Sequence, residues 1–480
     1  MKGFRRLILA WVVLVAGMAL LRYMETTPGG NTDPETPAPT ALHDPLGETF
    51  EPPPAGLIGT TAGLGFLLIG AWLTGRIFRH LGLPMITGYL VFGVLVGPEL
   101  YESLIRIEAV QRVAPPAALV PGQTLEYLEL VNALAISIIA FTAGGEIRLE
   151  SLRSGAKHIV SITMAGVVTV FAGVVAVLML TRPWIPMLRE QEAVNVWIIC
   201  AIIGTIAIAN SPATVLAMIK ETDADGPMAQ IGLAVTVCKD LLLVIVFTIL
   251  MAIALRVSPG IEGPTSAGTG EIVADLSRHL LGSILIGGVV GALFRLVIRR
   301  VADHMAIFVI AAGFGLALFS EALALEPLLV ALSAGFVLAN LWPRQSEEMF
   351  HATEELSLPV YCVFFAVAGA IIRIDALLSL WPLALFIVVL RGVLLWSSTW
   401  LGTAVTRMAG PARGWMWTSF VAQAGVSIAL VTQVTHSFGD RDWGLQLSSL
   451  LLAIIAIHQL AGPPLMRLGL IRSGEVSEEE

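Results

Sequence analysis

The sequence predicts an all-α polytopic membrane protein, and three observations carry that prediction. Hydrophobic residues make up 56% of the 480 and charged residues 13%, whereas soluble domains run at about 45–50% and about 25%. Apolar runs long enough to span a bilayer recur along the whole chain. Lys and Arg gather in alternate loops, as a consistent membrane orientation requires. These features exclude a water-soluble enzyme, because 28 basic and 36 acidic residues are too few to cover the surface of such a chain. A formal net charge of −8 without a basic cluster gives no footprint for nucleic acid. Cys200, Cys238 and Cys362 lie far apart within apolar runs, which predicts neither a disulfide framework nor a CxxC metal site; no cofactor is expected.

Taken in chain order, residues 7–23 form the first apolar run, behind Lys2, Arg5 and Arg6. It reads as a signal peptide or an uncleaved anchor, and the lack of a clean small-x-small cleavage site before Arg22 favours an anchor over residues 1–27. Residues 28–54 carry eight prolines with Gly, Thr and acidic residues, a composition that cannot bury apolar area and predicts a disordered linker. The transmembrane domain follows over 55–470, with thirteen spans at 56–79, 83–98, 130–147, 157–181, 194–219, 228–255, 279–298, 304–321, 327–341, 356–372, 377–405, 415–435 and 443–466. Residues 471–480 form an acidic tail. With this alternation 17 of the 28 basic residues fall on one side, assigned to the cytoplasm with both termini, and 9 on the other. The remaining two, Lys239 and Arg391, lie inside spans.

A charge at mid-bilayer costs roughly 2.5–3.5 kcal/mol on insertion scales, so Asp240, Lys239 and Arg391 are functional candidates. Asp240 reads either as half of a buried structural ion pair or as a carrier carboxylate that alternately holds a proton and a cation. Neighbours on a helix point about 100° apart, so Lys239 and Asp240 cannot both face one small site. Glu146 sits at the edge of its span and can snorkel to the interface; the same reading suits Glu321 and Glu326. His458, deep in the last span, is expected to bond a neighbouring helix. Small-residue packing explains Gly93-Val-Leu-Val-Gly97.

Two spans carry backbone breakers. Pro212 follows Asn210 and Ser211 in Gly204-Thr-Ile-Ala-Ile-Ala-Asn-Ser-Pro-Ala-Thr214, and Gly425 follows Gln423 in Ala422-Gln-Ala-Gly-Val-Ser427. Each alone reads equally as a kink or a packing glycine. They occupy corresponding places in the two halves of the chain, the pattern of inverted repeats whose broken helices bind ions through freed backbone groups.

These stretches resemble the monovalent cation:proton antiporter superfamily, especially its bacterial sodium or potassium/proton exchangers. Leu81-Gly-Leu-Pro-Met-Ile-Thr-Gly-Tyr-Leu-Val-Phe-Gly-Val-Leu-Val-Gly-Pro98 is similar to the family's first-helix signature, and Phe141 to Glu146 to its Phe-x-x-Gly-x-Glu segment. Ala209-Asn-Ser-Pro-Ala-Thr-Val215 resembles the unwound crossing helix, and Ala422 to Val426 the second crossing. Lys239-Asp240 falls where members carry Asn-Asp, Asp-Asp or Gln-Asp, and Arg391 where they carry Lys or Arg; His458 to Arg467 is similar to the closing helix. The chain departs from the family at Lys239 and at Val426, where members of the second-crossing type have Glu.

The resemblance implies about thirteen core helices in inverted repeats, two crossed discontinuous helices, a dimerisation subdomain and a homodimer in the inner membrane. It implies a secondary transporter, not an enzyme, that exchanges sodium or potassium for protons by alternating access. Asp240 would hold cation and proton in competition, Thr205, Asn210 and Ser211 would supply neutral ligands, Gln423 and Gly425 would form the second crossing, and Lys239, Arg391 and Glu146 would act as tuning or structural charges. Arg391 would pair with an acid, for which Glu146 is the candidate. Two other classes compete. A channel or proton-gradient sensor on the same scaffold would lack obligatory coupling. An intramembrane enzyme would need a Ser-His or HExxH grouping, and the spans contain none.

Overall fold

The structure is a computed structural model and describes residues 2–26, 55–105, 118–257, 269–301, 304–323, 325–423 and 425–476. Every regular element among them is helical. In chain order the α-helices of six residues or more are α1 (Lys2–Thr26), α2 (Ala55–His80), α3 (Met85–Val96), α4 (Pro98–Ile105), α5 (Gly122–Tyr127), α6 (Glu129–Glu146), α7 (Leu149–Thr181), α8 (Ala193–Ile206) and α9 (Pro212–Thr222). There follow α10 (Pro227–Val257), α11 (Thr269–Val301), α12 (Met305–Ala322), α13 (Pro327–Leu341), α14 (Pro343–Ala370), α15 (Ile374–Val405), α16 (Gly425–Phe438) and α17 (Gly444–Ser473). A 3₁₀ turn over Met416–Phe420 precedes α16.

Each apolar segment expected from the sequence falls on one of these helices or on a pair separated by a break. Among the described residues, eight helices are long and apolar enough to cross a membrane, and α3 with α4, bent by 46° around Gly97, makes a ninth if the pair is one span. Several of the rest fall short for a structural reason: the spans expected at 194–219 and 415–435 are each interrupted, so neither half reaches bilayer length. The expected linker at 28–54 and the side chain of Glu321 lie outside the described residues.

The chain divides into two compact units. One comprises residues 1–132 and 362–371. Here α1 lies on α2, with Trp11 Nε1 donating to Thr74 Oγ1 at 2.8 Å, and α2 packs on α3 through Phe66 and Phe92, whose ring centres are 5.4 Å apart. Gly93 and Gly97 sit directly on the carbonyls of Ala366 and Ala370 with no room for a Cβ, the close helix approach expected of a small-xxx-small pair.

The other unit comprises residues 133–361 and 372–480. One part of its core joins α6, α11, α12, α13 and α14 around Phe141, Met305, Val330, Ala334 and Met349, with Phe141 stacked on Phe350 at 5.1 Å. In the other, α7, α8, α10, α15 and α17 surround the two breaks. The polar surface missing from the composition is accounted for on α15, where Leu378, Trp381, Val389, Val393, Trp396 and Trp400 are all exposed as a lipid-facing stripe.

α17 runs through Ser473, past the first residues of the expected acidic tail. Gly474, at φ 75°, ends the helix in the left-handed conformation that glycine adopts without strain. The turn carries Glu475 back onto the start of α10, where its carboxylate accepts from the backbone N–H groups of Met228 (2.6 Å) and Ala229 (2.9 Å). Its main-chain carbonyl accepts from Asp225 N at 3.1 Å.

Candidate functional site

The first break arises because proline lacks an N–H and clashes with the carbonyl four residues back, so a helix cannot run through Pro212. α8 ends at Ile206, and α9 restarts at Pro212 with Ser211 as its N-cap, the side chain accepting from Thr214 N at 3.1 Å. In the second break the 3₁₀ turn closes at Phe420, and α16 starts only at Gly425. Both interruptions lie at membrane depth, where freed carbonyls must find donors within the protein.

Arg391 supplies most of them. Wholly buried on α15, it donates Nε to Ala207 O (2.7 Å) and Nη2 to Ala209 O (2.6 Å) at the first break. At the second it donates Nη1 to Val421 O (2.8 Å) and Nη2 to Phe420 O (2.9 Å). Gln423 Nε2 donates to Ile206 O at 2.8 Å, tying the second break to the end of α8. A planar guanidinium with five donors suits this geometry, and its charge faces helix C-terminal ends, which carry partial negative charge. Arg391 therefore does not pair with Glu146 as expected. Glu146 instead bridges to Lys220 at 2.7 Å, and Lys220 reaches Glu354 at 3.2 Å, all three in partly exposed positions.

Asp240, buried in the middle of α10, has no hydrogen-bond partner on either carboxylate oxygen. The Asn210 backbone amide lies against it without reaching hydrogen-bond geometry. The side chains of Thr205 and Asn210, Gln423 Oε1 and Ser427 Oγ are likewise buried and unsatisfied. Leaving such groups unpaired costs about 1–3 kcal/mol each, more for a carboxylate. Ser211 differs. Its Oγ accepts from both Thr214 N and Thr214 Oγ1 (2.9 Å), so its lone pairs are committed to the cap. Gly425 opens α16.

Lys239 is buried beside Asp240 but engages other partners. Its ammonium lies over the Phe420 ring, 4.4 Å from the centroid. His458, buried in α17, donates Nδ1–H to the carbonyl of Ile454 (2.9 Å) on its own helix, not on a neighbouring one as expected. Glu326 is exposed at the start of α13.

A cavity of about 620 Å³ opens at one end of this unit, lined by Glu146, Lys157, His158, Asp225, Gln230 and Arg407 among others. Its lining includes Arg148, Lys157 and Arg407, from loops that the sequence assigns to the cytoplasm. From α10 it takes Pro227, Gln230, Ile231 and Ala234, one face of the helix. Asp240 lies six residues further along, about 9 Å.

Both breaks and all three buried charges are legible in the sequence. Phe420 and the five acceptor carbonyls are not, because neither a cation–π partner 181 residues from Lys239 nor a backbone carbonyl leaves a pattern there.

A helical membrane protein with two interrupted spans meeting at a buried carboxylate and arginine has the construction of a secondary transporter. The sodium/hydrogen exchanger transmembrane family matches residues 64–466, and the chain belongs to that family, one of antiporters within the monovalent cation:proton superfamily. Two structures of the sodium/proton antiporter MjNhaP1 from Methanocaldococcus jannaschii share the fold at 16% identity. One, at pH 8, gives a TM-score of 0.60 and covers 87% of this chain and 96% of that one. The other, an electron-microscopy structure, gives 0.67 and covers 88% and 100%. A sequence comparison with curated proteins found no match.

Proposed function

We propose that the protein exchanges a monovalent cation, sodium or potassium, for protons by alternating access, as a homodimer in the inner cell membrane, with Asp240 as the shared carrier. The observation that carries this reading is a carboxylate buried at mid-helix with both oxygens unpartnered, beside a helix break whose Thr205 and Asn210 side chains are also unsatisfied. With neither oxygen held by a hydrogen bond, the carboxyl is free to take a proton or a cation. A proton and a dehydrated cation compete for the same oxygens, with Thr205 and Asn210 as neutral ligands and Ser211 supporting them by capping α9. Either ligand neutralises Asp240 and lets the carrier move; the empty charged form does not.

Arg391 fixes the geometry by holding the carbonyls freed at both helix breaks. The relationship to MjNhaP1, a sodium/proton antiporter by its description, supports sodium as the first cation to test. In vesicles with an entrapped pH-sensitive dye, exchange is scanned across lithium, sodium, potassium and rubidium, with and without a membrane potential. Proton efflux driven by an inward sodium or potassium gradient is expected. Cation flux without proton movement would contradict the reading and indicate a channel.

A further inference from the structure

We propose that Phe420 and Gly166 form an ammonium niche that makes Lys239 a resident cation of the transport site, positioned apart from Asp240. The inference rests on the exchange reading above and extends it to the residue that sets the charge seen by the carrier. Lys239 is 1% exposed and extends toward α7. There Gly166 leaves its space open: a Cβ on Gly166 would lie 2.5 Å from Lys239 Cε and 2.8 Å from Nζ. The Phe420 ring closes the niche at 4.4 Å, offering the negative face of its quadrupole to the ammonium.

Phe420 links this niche to the crossing itself, because its carbonyl accepts from Arg391. The ammonium does not hydrogen-bond to Asp240, whose oxygens remain open. The niche thus solves a conflict in the sequence. A lysine paired directly with its neighbour would occupy the carrier carboxylate, whereas a lysine held against an aromatic face contributes its charge through space and leaves the oxygens free. The charges acting on Lys239 are Arg391 from α15 and Asp240 on its own helix. Glu326 at the start of α13 acts on Asp240, and His458 on α17 lies within reach of Arg391.

Lys239→Ala removes Cγ to Nζ, the dimensions of n-propylammonium. The test measures the pH midpoint of cation-driven exchange in vesicles for wild type and for this variant, with and without n-propylammonium. With the positive charge gone, the midpoint is expected to rise by about one pH unit. n-Propylammonium is expected to return it toward the wild-type value, and uncharged n-propanol is not. An unchanged midpoint in Lys239→Ala, or a shift that n-propylammonium leaves in place, overturns the niche while leaving exchange itself standing. Loss of exchange in the wild type would instead overturn the reading on which the niche rests. Phe420→Leu keeps the lysine, the apolar bulk and the main-chain carbonyl, and so tests the niche even if Lys239→Ala does not fold. Freed from the ring, the ammonium turns toward Asp240, and the midpoint is expected to move to lower pH. A Phe420→Leu midpoint coinciding with wild type contradicts the proposal.

Discussion

Arg391 reaches Ala209 at 2.6 Å with the same nitrogen that bonds Phe420 at 2.9 Å, so one guanidinium closes both helix breaks. The two interruptions are thereby a single electrostatic unit. Removing the arginine leaves four buried carbonyls without a donor, in a place where water cannot replace it.

Arg391→Ala is expected to destabilise the folded protein by about 3–5 kcal/mol, the usual cost of removing one partner from a buried charged network. Arg391→Lys, with three donors on a point charge and no planar fork, is expected to fall between that variant and wild type. Thermal unfolding in detergent checks both. Equal stability of all three proteins would show that the carbonyls are satisfied in another way.

The bridge from Glu146 to Lys220 lies in half-exposed positions, with side-chain exposures of 40% and 28%. Such pairs contribute about 0–1 kcal/mol. Glu146→Gln is therefore expected to retain exchange and nearly all of the stability. A loss of transport as deep as that expected for an Asp240 variant would assign Glu146 a direct part in ion handling.

Thr205, Asn210 and Ser211 share one segment but should separate by measurement. Ser211→Ala removes an N-cap and is expected to cost about 1 kcal/mol of stability, with little effect on cation affinity. Asn210→Ala removes a side chain that bonds nothing else and is expected to raise the half-saturating cation concentration instead. Cation titrations of exchange together with thermal unfolding distinguish them, and the reverse pattern would make Ser211 the ligand.

The Glu475 latch gives a pH dependence of known sign. Burial, reinforced by Asp225, holds this carboxyl above its ordinary range even though two backbone N–H groups favour the charge. A group whose pKa is raised by docking binds protons more tightly when docked. The latch is therefore expected to strengthen as pH falls from above the raised value toward about 4.3 and to weaken as pH rises through the same interval. Hydrogen exchange at Met228 and Ala229 reports it: protection should decrease with rising pH after correction for intrinsic exchange, and Glu475→Ala should abolish it. Protection that increases with pH would reverse the sign.

The sequence alone was enough to place the apolar helices, because bilayer thickness demands long apolar runs and the basic residues mark their ends. It also exposed the first break through Ser211-Pro212, whose chemistry forbids a continuous helix, and the carrier candidate through the cost of burying Asp240. The contacts of Arg391 stayed hidden for a definite reason. An arginine in a membrane span announces a need for partners, and side chains are the only partners a sequence displays, which pointed to Glu146. The partners are main-chain oxygens that exist only once two helices have broken. Phe420 was hidden in the same way, as an ordinary apolar residue whose role comes from lying across the crossing from Lys239. The docking of Glu475 depends on a left-handed turn at Gly474 that an acidic tail does not foreshadow.

The carrier role of Asp240 stands or falls with Asp240→Asn, since the amide keeps the shape and burial of the carboxylate but can neither bind a proton nor neutralise a cation. In vesicles under sodium and potassium gradients, with folding verified by an unchanged elution profile and melting curve, that role requires proton exchange reduced to the level of empty vesicles. Exchange at the wild-type rate in the folded variant would contradict it.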